Sequence, residues 1–191
     1  MTRILAGAAK GRRLQTPAGL ETRPTGARVR QTLFDVLAPR VPGCRFLDAC
    51  AGSGAIGLEA LSRGASRVVL VDRSAAAIRA IRENVKAVGA EGGEVEVLRQ
   101  EAGLAIRALA EAGRRFDLIY LDPPYASQLC ETLLEAVAAS GLLAHDGLLV
   151  AEHFKKHVLP ERIDRLSRTR VVRVGEHALS FYACTSGGGL S

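Results

Sequence analysis

From Cys44 onward, short apolar runs rich in Val, Leu and Ile alternate with longer segments of helical period, and this limits the fold more than anything else in the chain. Arg45–Cys50, Arg67–Asp72, Val95–Arg99, Phe116–Leu121 and Leu148–Glu152 read as strands. Residues 55–63, 74–88, 104–112 and 130–140 read as the helices between them. In the second of these Ser74 is a plausible cap, and Ile78, Ile81, Val85 and Val88 form one apolar stripe. Strands separated by helices of this length need crossover connections, so the expected architecture is α/β, a Rossmann-like, doubly wound and mostly parallel sheet. A segment ending in Arg170–Val174 and the run Leu179–Cys184 lack a full helix between them. They predict a closing hairpin, with the C-terminal strand antiparallel at or near an edge.

The first 40 residues are different in kind. Residues 1–22 have little periodicity and are punctuated by Gly, Arg and Pro, which predicts an extended arm or small hairpin. A helix follows from Pro24-Thr25, with Val29, Leu33, Phe34 and Leu37 on one face until Pro39. The expected division is a basic arm and helix at 1–40, an enzyme domain at 41–185 and a flexible tail at 186–191. The chain carries 26 Lys+Arg and 20 Asp+Glu, a formal charge of +6. Residues 1–40 hold 8 of those bases and 2 of the acids, leaving the remainder balanced at 18 of each. An arm of this kind suits a phosphate backbone, because neutralised phosphates release counterions; a merely solvated extension is the alternative. The candidate RNA contacts are Lys10, Arg12, Arg13, Arg23, Arg28 and Arg30.

Several classes are excluded by what the chain lacks. Cys44, Cys50, Cys130 and Cys184 form no C-x-x-C pair, and the four histidines show no ligand spacing, so reduced thiols and no metal are expected. No apolar run approaches the roughly 18 residues of a membrane helix, and Ile4–Ala9 is too short for a signal-peptide core. A cytoplasmic protein without membrane contact is the expectation.

The first strand-to-helix turn reads Asp48-Ala49-Cys50-Ala51-Gly52-Ser53-Gly54-Ala55-Ile56-Gly57, which contains G-x-G-x-x-G. Glycines there let the backbone turn sharply beside a ligand, and Asp72, closing the next strand, can accept from ribose hydroxyls. A dinucleotide would place its pyrophosphate at the helix N-terminus. The Asp48 carboxylate beside that turn repels a phosphate and welcomes a cationic amine, which favours S-adenosylmethionine over NAD. Glu101, just past the third strand, can accept from the adenine amine, as could Gln100. The candidate cofactor set is Asp48, Ala51, Gly52, Gly54, Asp72 and Glu101. Cys50 reads as a small packing residue.

The fourth strand runs into Asp122-Pro123-Pro124-Tyr125. Two prolines after an acid end the strand and hold their carbonyls outward as acceptors. An exocyclic amine on a base is a poor nucleophile, because its lone pair is delocalised into the ring. Accepting its N–H groups at the Asp122 carboxylate and the Pro123 carbonyl would aim that pair at a methyl group, while Tyr125 stacks on the ring. Asp122, Pro123 and Tyr125 are therefore the catalytic candidates. Glu152-His153 ends the fifth strand near the same edge and reads as a strand terminus, with substrate contact as the alternative.

These motifs give the chain a resemblance to the RsmD-type methyltransferases, which methylate the exocyclic N2 of a guanine in bacterial small-subunit ribosomal RNA. It is carried by Ala6-Gly7 with Lys10-Gly11-Arg12, Arg23-Pro24-Thr25 with Arg28-Val29-Arg30, Leu33-Phe34, the segment Asp48 to Ala65, Asp122–Tyr125 and Leu179-Ser180-Phe181-Tyr182. The resemblance implies an adenosylmethionine-dependent domain at 41–185 with a seven-stranded sheet, and a substrate that is an assembled or assembling small subunit. It also implies no obligate protein partner. Asp48, Gly52 and Gly54 map to the methionine part of the cofactor, Asp72 to its ribose, and Asp122, Pro123 and Tyr125 to the target base. Cys50 stands where phenylalanine is usual, and Glu101 where aspartate is. An amino-methyltransferase acting on DNA adenine or protein glutamine, or an NAD-dependent oxidoreductase, is the alternative.

Overall fold

The computed structural model describes residues 2–17, 24–123 and 127–185. Arg23, Pro124, Tyr125 and the tail from 186 lie outside the described residues. Two short strands, β1 (Thr2–Arg3) and β2 (Arg13–Leu14), pair antiparallel in a hairpin. Helix α1 (Pro24–Leu37) follows and ends in a 3-10 turn at Ala38–Arg40, where Pro39 removes a backbone donor.

The central sheet is built from β3 (Arg45–Asp48), β4 (Arg67–Asp72), β5 (Val95–Arg99), β6 (Phe116–Leu121), β7 (Leu143–Phe154), β8 (Arg162–Ile163), β9 (Leu166–Val174) and β10 (His177–Cys184). Its order is β5-β4-β3-β6-β7-β10-β9-β8, parallel from β5 to β7 and antiparallel beyond. The connecting helices are α2 (Ala55–Ser62), α3 (Ala75–Val88), α4 (Ala102–Glu111) and α5 (Ser127–Ser140). Ser74 caps α3, its hydroxyl accepting from the Ala77 amide.

The sheet has eight strands instead of the seven expected; the extra one is the two-residue β8. As expected, the C-terminal strand β10 is antiparallel and stands near the edge, with β9 and the short β8 outside it. Its run from Ala178 to Tyr182 is wholly buried, and a strand apolar on both faces needs neighbours on both sides. Strand β7 begins five residues before its expected start, because Leu143 pairs with Phe116 across a register shift.

Parallel strands buried on both faces sort their side chains by parity. Phe46, Val68, Leu70, Leu118, Tyr120, Val150, Leu179 and Phe181 pack with α1, α2, α3 and the arm residues Ile4 and Leu14. Leu47, Val69, Val71, Ile119, Leu121, Leu149 and Ala151 pack with α4 and α5 on the other face.

The arm is docked by its backbone. The Leu5 and Ala6 amides donate to the two oxygens of Glu59 at 2.7 and 3.0 Å. Ser62 Oγ donates to the Ala6 carbonyl at 2.6 Å and accepts from the Ala9 amide at 2.9 Å. Gly7, at φ +82°, passes so close that a Cβ there would lie 1.7 Å from the Ser62 carbonyl oxygen. Glu59 is fully buried and is flanked by Arg63 at 2.7 Å and Arg30 at 4.0 Å.

Candidate active site at the switch point

The strand order reverses between β3 and β6, since β3 continues through α2 to β4 on one side while β6 and β7 extend the other. Loops leaving the carboxyl ends of two such strands diverge to opposite faces and open a crevice. The glycine turn leaves β3 there and Asp122-Pro123 leaves β6. The two strands are locked in register, with Asp48 opposite Tyr120, and the Ala49 amide donates to the Tyr120 carbonyl at 3.1 Å.

Asp48, at the end of β3, is buried. Its Oδ2 accepts from the Gly57 amide at 3.2 Å and the Cys50 amide also faces the carboxylate, while its Oδ1 has no hydrogen-bond partner among the described residues. Burial pushes its carboxyl up to about 7, with the Asp72 charge acting in the same direction. A buried acceptor left unpaired is costly, so the site fits a ligand carrying a cationic donor. Gly57 makes this arrangement possible: a Cβ there would meet Leu70 Cδ2 at 2.2 Å and Val68 Cγ1 at 2.9 Å. Only glycine lets α2 approach β4 closely enough for its first turn to reach Asp48.

The turn itself is pinned from three sides. Asp72 Oδ2 accepts from the Gly52 amide at 2.9 Å and its Oδ1 from the Ser74 amide at 2.8 Å. The buried Ala51 donates to the Val71 carbonyl at 2.9 Å. Asn84 of α3, also buried, donates to the Ser53 carbonyl at 2.8 Å and to the Gln15 carbonyl at 2.9 Å, and accepts from the Gln15 amide at 2.7 Å. Asp72 thus holds the turn, and each of its carboxylate oxygens keeps lone pairs for further donors. Burial and the neighbouring acids Asp48, Asp122 and Asp72 push the Cys50 thiol up, in keeping with a packing role.

Glu101 is exposed and caps α4, accepting from the Gly103 and Leu104 amides at 3.0 Å each. This cap starts α4 two residues before the expected Leu104. The Gln100 amide donates to the Asp72 carbonyl at 3.1 Å and ties the ends of β5 and β4 together.

Asp122 is exposed while Pro123 beside it is buried. The dense protein behind the Asp122 carboxyl, followed by the charges of Glu152 and Asp48, raises it well above the usual carboxylate range. Water on its open side screens part of that effect. Tyr120 and Glu152 are buried side by side behind Asp122, the Tyr120 hydroxyl donating to Glu152 Oε2.

The six basic candidates do not share one environment. Lys10, Arg12, Arg13 and Arg28 are exposed. Arg30 is buried, donating through Nη2 to the Arg3 carbonyl at 2.7 Å and lying beside Glu59, so its guanidinium is turned into the protein instead of toward solvent. The expectation of a phosphate contact at Arg30 is therefore replaced by a structural one. Nothing in their sequence context marks Glu59 and Asn84 as groups that support the site. Glu59 is a lone acid in an otherwise apolar run, whereas Asn84 stands among the charged Arg82, Glu83 and Lys86 and reads like any solvated helix position.

Residues 2–183 match the model of the family described as conserved hypothetical protein 95. The Bacillus subtilis (strain 168) protein YlbH is 38% identical over 180 residues, covering 94% of this chain and 97% of its own. Ribosomal RNA small subunit methyltransferase D of Escherichia coli (strain K12) is 34% identical over 180 residues, 94% of this chain and 88% of that protein. A solved hypothetical protein of Thermus thermophilus superposes with a TM-score of 0.82 at 36% identity, over 95% of this chain and 98% of that one. The chain belongs to the family of ribosomal RNA small subunit methyltransferase D.

Proposed function

We propose that the chain transfers the methyl group of S-adenosylmethionine to the exocyclic N2 of a guanine in small-subunit ribosomal RNA, in the cytoplasm, on assembled or assembling subunits. One observation carries the reading: a buried carboxylate oxygen of Asp48 that has no partner among the described residues, and the solvent-facing Asp122, end adjacent strands at the crevice. The first suits the cofactor's ammonium group, and the second suits a base amine. When bound, S-adenosylmethionine supplies an electrophilic sulfonium methyl.

The chain's residues then have separable tasks. Asp48 receives the ammonium group, the Gly52–Gly54 turn lets the methionine part approach the backbone, and Asp72 accepts from the ribose. Glu101 accepts from the adenine amine with the lone pairs left over from its capping bonds. Asp122 and the Pro123 carbonyl accept from the two N–H groups of the target amine and aim its lone pair along the methyl–sulfur axis. Tyr125 stacks on the base. Most of the rate gain is alignment, on the order of several kcal/mol. Lys10, Arg12, Arg13, Arg23 and Arg28 hold the RNA backbone.

Mass mapping of modified nucleotides in small-subunit RNA from a strain lacking the protein, with and without purified enzyme added back, tests this. One N2-methylguanine that disappears and is restored is the expected result. An unchanged map, or tight NADH binding without S-adenosylmethionine binding, overturns it. Replacing Asp122 by Ala should lower turnover by at least about a thousandfold, roughly 4 kcal/mol, with cofactor affinity within a few-fold. Wild-type turnover in that variant would remove the amine-acceptor role.

A further inference from the structure

Four adjacent strands bring ionisable side chains together on one face of the rim. The order β3-β6-β7-β10 places Asp48, then Tyr120 and Asp122, then Glu152, then His177 in sequence across the sheet. Leu121 pairs with Ala151, so Asp122 and Glu152 follow at neighbouring positions on β6 and β7. Glu152 pairs with Leu179, two residues along β10 from His177. Both Glu152 oxygens are engaged: Oε2 by the Tyr120 hydroxyl and Oε1 by His177 Nδ1 at 2.8 Å. Asp122 is open in the free protein, while the Glu152 and His177 side chains are 10% and 16% exposed. Next to His177 the chain turns out to solvent at Glu176, which is paired with Lys155.

A buried carboxylate this close to a second one does not suit simple stability. It lowers no cost that a glutamine could not, and it crowds Asp122. Methyl transfer to an amine, however, leaves a proton to be removed from a site enclosed by cofactor and base. We infer that Glu152 and His177 form the route by which that proton leaves Asp122 for solvent. This rests on the reading that Asp122 accepts from guanine N2.

The step balances as follows. The N2 lone pair forms the new N–C bond while the C–S pair stays on sulfur, leaving a positively charged nitrogen. That nitrogen gives one proton to the Asp122 carboxylate. The Glu152 carboxylate then takes that proton from Asp122 and releases it to His177 Nδ1, and the imidazolium gives one to water from Nε2; the neutral ring returns to its starting tautomer through solvent. Tyr120 keeps Glu152 oriented. Among the described residues, the charged and titratable groups facing Glu152 are Tyr120 and Asp122 from β6 and His177 from β10; Asp48 of β3 acts electrostatically on Asp122, and Arg30 of α1 on Tyr120. The raised carboxyl of Asp122 is in keeping with a group that holds a proton in passing.

The test is single-turnover methyl transfer from labelled S-adenosylmethionine to small ribosomal subunits, measured across pH with the full-length protein, its Glu152→Gln and His177→Gln variants, and with melting temperatures recorded for all three. Each variant should lose about tenfold to a hundredfold in rate with cofactor affinity unchanged, the modest end of general acid–base effects. The alkaline shift of the pH–rate profile, and recovery of His177→Gln by added imidazole, are readouts that a structural role would not move. Variants with the wild-type rate and profile, or slowed without a profile shift and without imidazole recovery, overturn the route while leaving the methylation reading intact. A wild-type protein that leaves guanine N2 unmodified overturns that reading and the route with it.

Discussion

The eight-residue helix α2 meets two buried carboxylates, its own Glu59 and Asp48 at the end of β3, and the two are treated in opposite ways. At its C-terminal half, Glu59 is saturated: two arm amides, Arg63 and Arg30 surround it. Around its N-terminal start, Asp48 receives one long bond from Gly57 and keeps one oxygen without a hydrogen-bond partner among the described residues. Both carboxylates are almost entirely out of water. The paired end fastens the arm; the bare end costs stability that a ligand can return. Burial alone therefore does not separate a structural acid from a functional one, whereas the account of its hydrogen bonds does.

The sharpest way to break the contrast is to remove Glu59. Replacing it by Ala leaves Arg30 buried beside no carboxylate and the Leu5 and Ala6 amides without acceptors. A loss of about 3–5 kcal/mol is expected, which for a chain of this size is roughly 10 °C or more in melting temperature. Calorimetry of the purified variant checks it, and a shift under about 1 kcal/mol would mean the arm is held by its apolar contacts instead.

Asp48 should respond in the other sense. Changing it to Asn is expected to leave the free protein as stable or more so near neutral pH, and to weaken S-adenosylmethionine binding by about 1.5–3 kcal/mol, a tenfold to hundredfold loss measured by titration calorimetry. The pH dependence follows from its carboxyl, raised from an ordinary 3.8 to about 7. A raised acid binds its proton more tightly in the folded state, so its contribution is complete below pH 4 and is lost as pH climbs from about 4 to about 7. Asp48→Asn should flatten that part of the stability curve, and saturating cofactor should flatten it too, because an ammonium group beside the carboxylate favours its charged form. A slope of the same size in the Asn variant would assign the effect to another group.

Much of this architecture is visible in the chain, for a physical reason. Parallel strands covered on both faces are mostly apolar, so β4 and β6 stand out with their bounds intact, the half-buried edge strand β5 is found by its alternating Val-Glu-Val-Leu pattern, and a glycine turn with an acid at each flanking strand end is a local pattern. The supporting contacts are not local. Leu5 meets Glu59 across 54 positions, Gln15 meets Asn84 across 69, and Tyr120 meets Glu152 across 32, and no periodicity joins such pairs. Arg30 shows the cost most clearly. Its charge matches that of its exposed neighbour Arg28, but it follows Val29 onto the face of α1 that packs inward. Composition counts both as one basic cluster; only the helix phase separates them.

That separation yields the smallest expected effect. Neutralising Lys10, Arg12 and Arg13 together should weaken binding to small-subunit RNA and reduce the slope of log affinity against log salt by about 0.7–0.9 for each phosphate the arm no longer neutralises. Cofactor affinity and melting temperature should stay within error, since all three side chains are exposed and Glu59 holds the arm through its backbone. Arg30→Gln is the matched control. Its side chain is buried against Glu59, so it should lower the melting temperature and leave the salt slope of the folded protein unchanged. If the two results are exchanged, with Arg30→Gln flattening the slope and the triple variant losing stability, then the docked position of the arm is not the one that meets RNA.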